Sequence, residues 1–203
     1  MSFTTAPTNV RDACRKHGLW ILGDEVYSRF YYGERGAVRA PSFLDVCEEE
    51  EMLLLANTFS KNWAMTGWRI GWLQAPKALA SAVERLIQYN SSGTAVFMQR
   101  ASIEALDHGE EFVASQVARA RANRDLVAGV LAGLPGVRFE TPRGAFYQFF
   151  ALDGMTDSLK TVLRIIDEAN VGLAPGGTFG KGGEGHLRMC FLRDPEKLAE
   201  GLD

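Results

Sequence analysis

Short apolar runs alternate with stretches of helical periodicity through the first half of the chain. Asn9 to Gly18 has the spacing of a helix that stops at Gly18, and Leu19-Trp20-Ile21-Leu22 follows as a compact apolar run before Gly23-Asp24-Glu25. The pattern predicts a helix, a buried strand and a polar strand end. Met52 to Ala56 repeats it and delivers Asn57, Thr58, Ser60 and Lys61 at the end of a second apolar run. A third run, Ile70 to Leu73, ends before Pro76, which is placed at the first turn of a helix reaching about Tyr89. Buried strands separated by helices predict an α/β sheet covered on both faces, with ligands at the carboxyl strand ends.

The second half has a different texture. From Thr94 to Leu106 and from Glu110 to about Leu131, apolar residues recur at helical spacing, until Gly133-Leu134-Pro135-Gly136 stops the second helix. Short strand candidates follow at Val137 to Phe139, Phe146 to Ala151 and His186 to Phe191, around a helix from about Thr156 to Asn170. We place a domain boundary near residue 115, inside the long helix, giving domains 1–115 and 116–203. The glycine-rich stretch Gly176 to Gly185 lacks the strand-to-helix setting of a phosphate cradle and is expected to be a mobile surface loop.

Composition narrows this picture only slightly. With 46% hydrophobic and 23% charged residues among 203, the chain is of ordinary globular make-up. A net charge of -3 with dispersed basic residues gives no nucleic-acid footprint. Cys14, Cys47 and Cys190 fall in neither disulfide-framework nor metal spacing, which suits a reducing cytoplasm. The apolar runs are too short to span a bilayer, and the first residues lack the pattern of a signal peptide.

The most informative segment is Asn57-Thr58-Phe59-Ser60-Lys61-Asn62-Trp63-Ala64-Met65-Thr66-Gly67-Trp68-Arg69-Ile70-Gly71, preceded by Asp24-Glu25-Val26-Tyr27. It resembles the cofactor-lysine signature of class I and II aminotransferases, in the fold-type I superfamily of enzymes that use pyridoxal 5′-phosphate (PLP). Pro142-Arg143-Gly144-Ala145-Phe146-Tyr147, Pro175-Gly176-Gly177-Thr178-Phe179-Gly180 and Leu187-Arg188-Met189 extend the resemblance along nearly the whole chain. It implies an α/β fold: part of a PLP-binding large domain, with a mainly parallel sheet, followed by a small α+β carboxyl-terminal domain. The implied activity is transfer of an amino group between an amino acid and a 2-oxo acid. Related PLP chemistry, β-elimination or decarboxylation, and a non-catalytic remnant that packs against a partner stand as alternatives.

The resemblance also assigns roles. Lys61 would hold the cofactor covalently and move the substrate Cα proton, so its amine must be partly deprotonated in use. Thr58, Ser60 and Arg69 would hold the phosphate, with Thr58 where serine is common in the family. Asp24 would face the ring nitrogen, Tyr27 would donate to the phenolic oxygen, and Arg188 would grip the substrate carboxylate. Each has a plainer reading: a solvated lysine, loop-capping hydroxyls, a turn carboxylate, a half-buried aromatic, surface arginines. Gly67 and Gly71 are expected to allow close backbone approach, and Trp63, Trp68 and Trp72 to pack around the loop. Family members carry a phosphate-binding turn, a stacking aromatic and an Asn-Pro-Thr-Gly motif upstream of the Asp24 strand. None of these occurs here, so the expectation is a fragment that keeps the lysine half of the site without independent turnover. Intact relatives imply a homodimer.

Overall fold

In a computed structural model the structure describes residues 5–33 and 37–203. The chain divides into two compact units, residues 1–31 with 36–114 and residues 32–35 with 115–203. The division falls within a single helix, Glu110–Ala132. The fold is α/β.

In the first unit, helix α1 (Thr5–His17) leads through Gly18, at φ 59°, into β1 (Ile21–Asp24). Glycine is favoured at such a position because a Cβ penalises the left-handed region. Strand β2 (Leu53–Thr58) lies parallel to β1, with Asp24 level with Ala56, and β3 (Gly71–Gln74) lies antiparallel on the other side of β2. The three-stranded sheet is therefore mixed, in the order β1-β2-β3. Because β1 and β2 run in the same direction, the chain segments that follow both strands leave the same edge of the sheet. That edge carries Asp24 and the Lys61 segment.

The strands are less covered than their composition predicts. Ile21, Leu53 and Leu55 form a small core with Cys14, Phe43 and Cys47 packed against it, but Leu22 is 71% exposed and Leu19 and Trp20 are also exposed. Burial along β1 alternates because successive side chains point to opposite faces, and only one face is covered. The expectation of continuously buried strands is corrected on this point. The single-turn helix α2 (Phe59–Asn62) follows β2, and helices α3 (Ala80–Ser91), entered through a 3-10 turn after Pro76, and α4 (Val96–His108) complete the unit with the start of α5 (Glu110–Ala132).

In the second unit a four-stranded sheet has the order β4-β5-β7-β6, from β4 (Val137–Phe139), β5 (Tyr147–Leu152), β6 (Ala174–Pro175) and β7 (His186–Cys190), with every pairing antiparallel. Helix α6 (Ser158–Ala169) begins at the Asp157 cap, whose carboxylate accepts the Lys160 N–H. Helix α7 (Pro195–Glu200) begins with proline in its first turn after the Asp194 cap. Leu187, Phe191, Val127 and Ala120 are fully buried. Buried Asn123 joins the core backbone through its Nδ2, which donates to Phe191 O at 2.7 Å and Arg193 O at 2.9 Å.

The Gly176–Gly185 stretch, expected to be a surface loop, is exposed over most of its length. It folds into two 3-10 turns, Gly176–Phe179 and Lys181–Gly183, packed backbone against backbone. A Cβ on Gly176 would lie 2.0 Å from Gly183 O, so only glycine fits. The Glu184 carboxylate accepts the Ser158 N–H at 2.6 Å, which holds its pKa below the usual carboxylate range. The stretch is thereby tied to α6.

Candidate functional site

The site is assembled from two chain reversals at one edge of the first sheet. After β1 the chain turns through Glu25 to Phe30, with the Ser28 N–H donating to Glu25 O and the Phe30 N–H to Tyr27 O. Asp24, exposed at the strand end, accepts the Val26 N–H at 3.3 Å, a long bond of Asx-turn type. Its turn-forming reading is therefore realised, and the carboxylate keeps acceptor capacity for a ligand.

After β2 the chain enters the single-turn helix α2, Phe59–Asn62. Thr58 caps this turn: its Oγ1 accepts the Ser60 N–H at 3.0 Å. The same hydroxyl has one proton for two acceptors, Ile70 O at 3.1 Å and Ser60 Oγ at 3.0 Å. Either choice commits the Thr58 proton to a protein partner. Ser60 is buried, and its own proton is available when Thr58 donates to it.

Lys61 is half-buried on this turn, with Nζ 5.7 Å from the centre of the Tyr27 ring. That contact joins the turn after β1 to the turn after β2. Behind the lysine, Phe59, Trp63 and Trp72 pack as an aromatic cluster, with ring centres 5.0 Å apart for Phe59–Trp63 and 5.1 Å for Phe59–Trp72. Trp63 and Trp72 thus serve as packing.

Arg69 sits just before β3 with left-handed backbone, φ 53°, and its Nη1 donates to Thr66 O at 3.0 Å. The pairing of Thr58 with Gly71 brings this corner back to the head of α2. Gly71 is required there, since a Cβ would lie 2.4 Å from Asn57 O. Gly67 meets nothing within 4 Å, so the close approach expected for it is not found.

Supporting residues that the motif did not single out hold the first turn. Glu25 accepts the Ser42 hydroxyl at 2.7 Å and the Phe43 N–H at 3.1 Å, and Ser42 is buried. Ser42 with Asp45 forms a capping box, a spacing that was legible as Ser-x-x-Asp. Arg39 pairs with Asp45 and holds its carboxyl below the usual range, helped by the Ser42 N–H. Arg188 belongs to the second unit, on β7, where its guanidinium lies over the rings of Tyr147 and Phe179.

The donor set fits PLP chemically. Lys61 supplies a primary amine, Ser60 and Arg69 supply a hydroxyl and a guanidinium on the same corner for a phosphate, and Asp24 supplies a carboxylate at the neighbouring strand end.

A family model described as aminotransferase class I and II matches residues 7–203. The chain belongs to this family. Aspartate aminotransferase of Pyrococcus horikoshii is 34% identical over 197 residues, which are 96% of this chain and 49% of that protein. Aromatic-amino-acid aminotransferase 2 of Thermococcus litoralis is 36% identical over 199 residues, 96% of this chain and 50% of that one. The crystal structure of an aromatic aminotransferase from Pyrococcus horikoshii superposes with a TM-score of 0.90 at 30% identity, covering 100% of this chain and 54% of that one. The class I and II chain thus spans about half the length of the curated relatives it matches.

Proposed function

We propose that this chain carries the cofactor-lysine part of a PLP-dependent aminotransferase, which moves an amino group between an amino acid and a 2-oxo acid. The observation that carries this reading is the placement of Lys61 beside Tyr27, on a turn whose parent strand runs parallel to the strand ending at Asp24.

Bound PLP supplies an electron sink for negative charge developing at the substrate Cα. Lys61 would hold the cofactor and move the Cα proton. Asp24 would hold the protonated ring nitrogen, and Tyr27 the phenolic oxygen. Ser60 and Arg69 would hold the phosphate, and Thr58 would support them by fixing the Ser60 turn. Arg188 would grip the substrate carboxylate through paired N–H bonds. The named relatives act on different amino acids, so the proposal is made for the class of substrate.

The working enzyme is read as a homodimer in the cytoplasm. The cytoplasmic reading rests on cysteine usage, with Cys14, Cys47 and Cys190 free. Among the described residues, no helix is long and apolar enough to cross a membrane.

The test is to mix the purified chain with PLP, follow the visible absorption band, and then supply an amino acid. Transamination is expected to give a band that is lost in Lys61→Ala, together with the aminated cofactor and a 2-oxo acid. Ammonia and pyruvate as products would favour elimination instead, and identical behaviour of Lys61→Ala would overturn the role of Lys61.

A further inference from the structure

We infer that Tyr147 and Phe179 are positioning residues that clamp the Arg188 guanidinium between their ring faces and leave its N–H edge open to a carboxylate. The inference rests on the reading of Arg188 in the proposed function and adds how the arginine is held.

The Arg188 Cζ lies 4.4 Å from the Tyr147 ring centre and 4.2 Å from that of Phe179. Both distances are well inside the range of cation–π attraction. An arginine is usually fixed by a carboxylate, which would occupy the N–H groups a substrate needs. Among the described residues no carboxylate or carbonyl is paired with Arg188. Glu184, a nearby carboxylate in sequence, is engaged by the Ser158 N–H. Ring faces stabilise the cation from above and below its plane and make no demand on its edge, where the N–H groups point.

The two walls have different origins. Tyr147 comes from β5, one diagonal step from Arg188, because Phe149 pairs with Arg188 and Tyr147 with Cys190. Phe179 comes from the glycine-rich stretch, whose first 3-10 turn ends on it. That turn is fixed by the tight fit of Gly176 on Gly183, by the Gly177 N–H donating to Ser158 Oγ at 3.1 Å, and by the Thr178 hydroxyl donating to Pro175 O at 2.7 Å. Phe149 meets Phe179 edge-on at 6.2 Å, and His186 stacks on Phe149 at 4.8 Å. His186, Phe149, Phe179, Arg188 and Tyr147 are therefore linked by successive ring and cation contacts. The glycine-rich stretch acquires a role as the mount for one jaw of the clamp. A guanidinium held this way loses little freedom when it meets a carboxylate.

The experiment is nitrogen-15 NMR of the arginine side chains in the purified full chain, titrated with pyruvate as the carboxylate probe. Wild-type Arg188 should show a ring-current-shifted, slowly rotating Nε–H that responds to pyruvate. Phe179→Leu and Tyr147→Leu, which retain apolar bulk, should release that signal and weaken pyruvate binding about five- to tenfold each. Tyr147→Phe keeps the ring face and should stay within about twofold of wild type, a rescue that a merely structural role for the hydroxyl would not give. A folded Phe179→Leu protein with wild-type pyruvate affinity would overturn the inference, whether or not its Arg188 signal moves. PLP capture by Lys61, read on the same samples, keeps the two readings apart. Capture with no response of Arg188 to pyruvate overturns the clamp and the role of Arg188 but leaves that of Lys61, and a response without capture overturns the function proposed for Lys61 alone.

Discussion

The two units place the side chains assigned to the proposed site by different means. In the first, Asp24 and Lys61 are set by backbone: they lie where two parallel strands end, over a small core of Ile21, Leu53 and Leu55. In the second, Arg188 is set by side chains, against two rings on a sheet whose core includes fully buried Leu187 and Phe191. Strand-end placement needs only register and capped turns. A long flexible side chain in mid-strand needs neighbours that restrict it.

The contrast is sharpest in core truncations. Phe191→Ala is expected to cost about 3–5 kcal/mol in urea unfolding, because it removes a fully buried ring. The exposed Leu22→Ala should change stability by less than about 0.5 kcal/mol. Equal effects would remove the distinction between the units. Next in size, Asn123→Ala removes the side-chain donor shared by the Phe191 and Arg193 carbonyls, of which Phe191 O keeps the Arg193 N–H, and a loss of about 1–3 kcal/mol is expected by the same measurement.

Thr58→Ala tests the backbone side of the comparison. Losing the cap on the Lys61 turn should cost about 1 kcal/mol, and Thr58→Ser should recover it. A serine variant as unstable as the alanine one would show that the methyl group, and not the hydroxyl, matters. The smallest effect concerns Asp45. Its carboxyl is depressed in the folded protein by Arg39, so its contribution is complete above the ordinary aspartate range and is lost as pH falls through the lower folded value. The pair is partly exposed, and the loss should stay below about 1 kcal/mol. Proton NMR titration of the Asp45 side chain should show the depressed value rise toward the ordinary one in Arg39→Ala, with the Ser42 N–H still holding part of the depression.

Much of this was legible in residue order. Val137–Phe139 forms the strand expected of it, and the helix expected from Thr156 to Asn170 is realised as Ser158–Ala169. The lysine turn was readable because its chemistry needs a hydroxyl, an amine and a guanidinium at fixed short spacing. Coverage was not readable. The run Leu19 to Leu22 is apolar throughout, yet apolar composition does not say which face another element covers, and Leu22 is exposed. Long-range placement was also hidden: nothing local in Gly176-Gly177-Thr178-Phe179 shows that its ring lies over Arg188 on another strand. The Glu25–Ser42 contact, 17 residues apart, was missed for the same reason, although the capping box beside it is a local signal.

The central claim is that Lys61, and no other lysine of the chain, is built to hold PLP. The direct measurement is to incubate the purified chain with PLP, reduce it with borohydride, and map the phosphopyridoxyl group by peptide mass spectrometry. The label is expected on Lys61, with none on the corresponding peptide of Lys61→Ala. Label spread evenly over the other lysines, unchanged by that substitution, would contradict it.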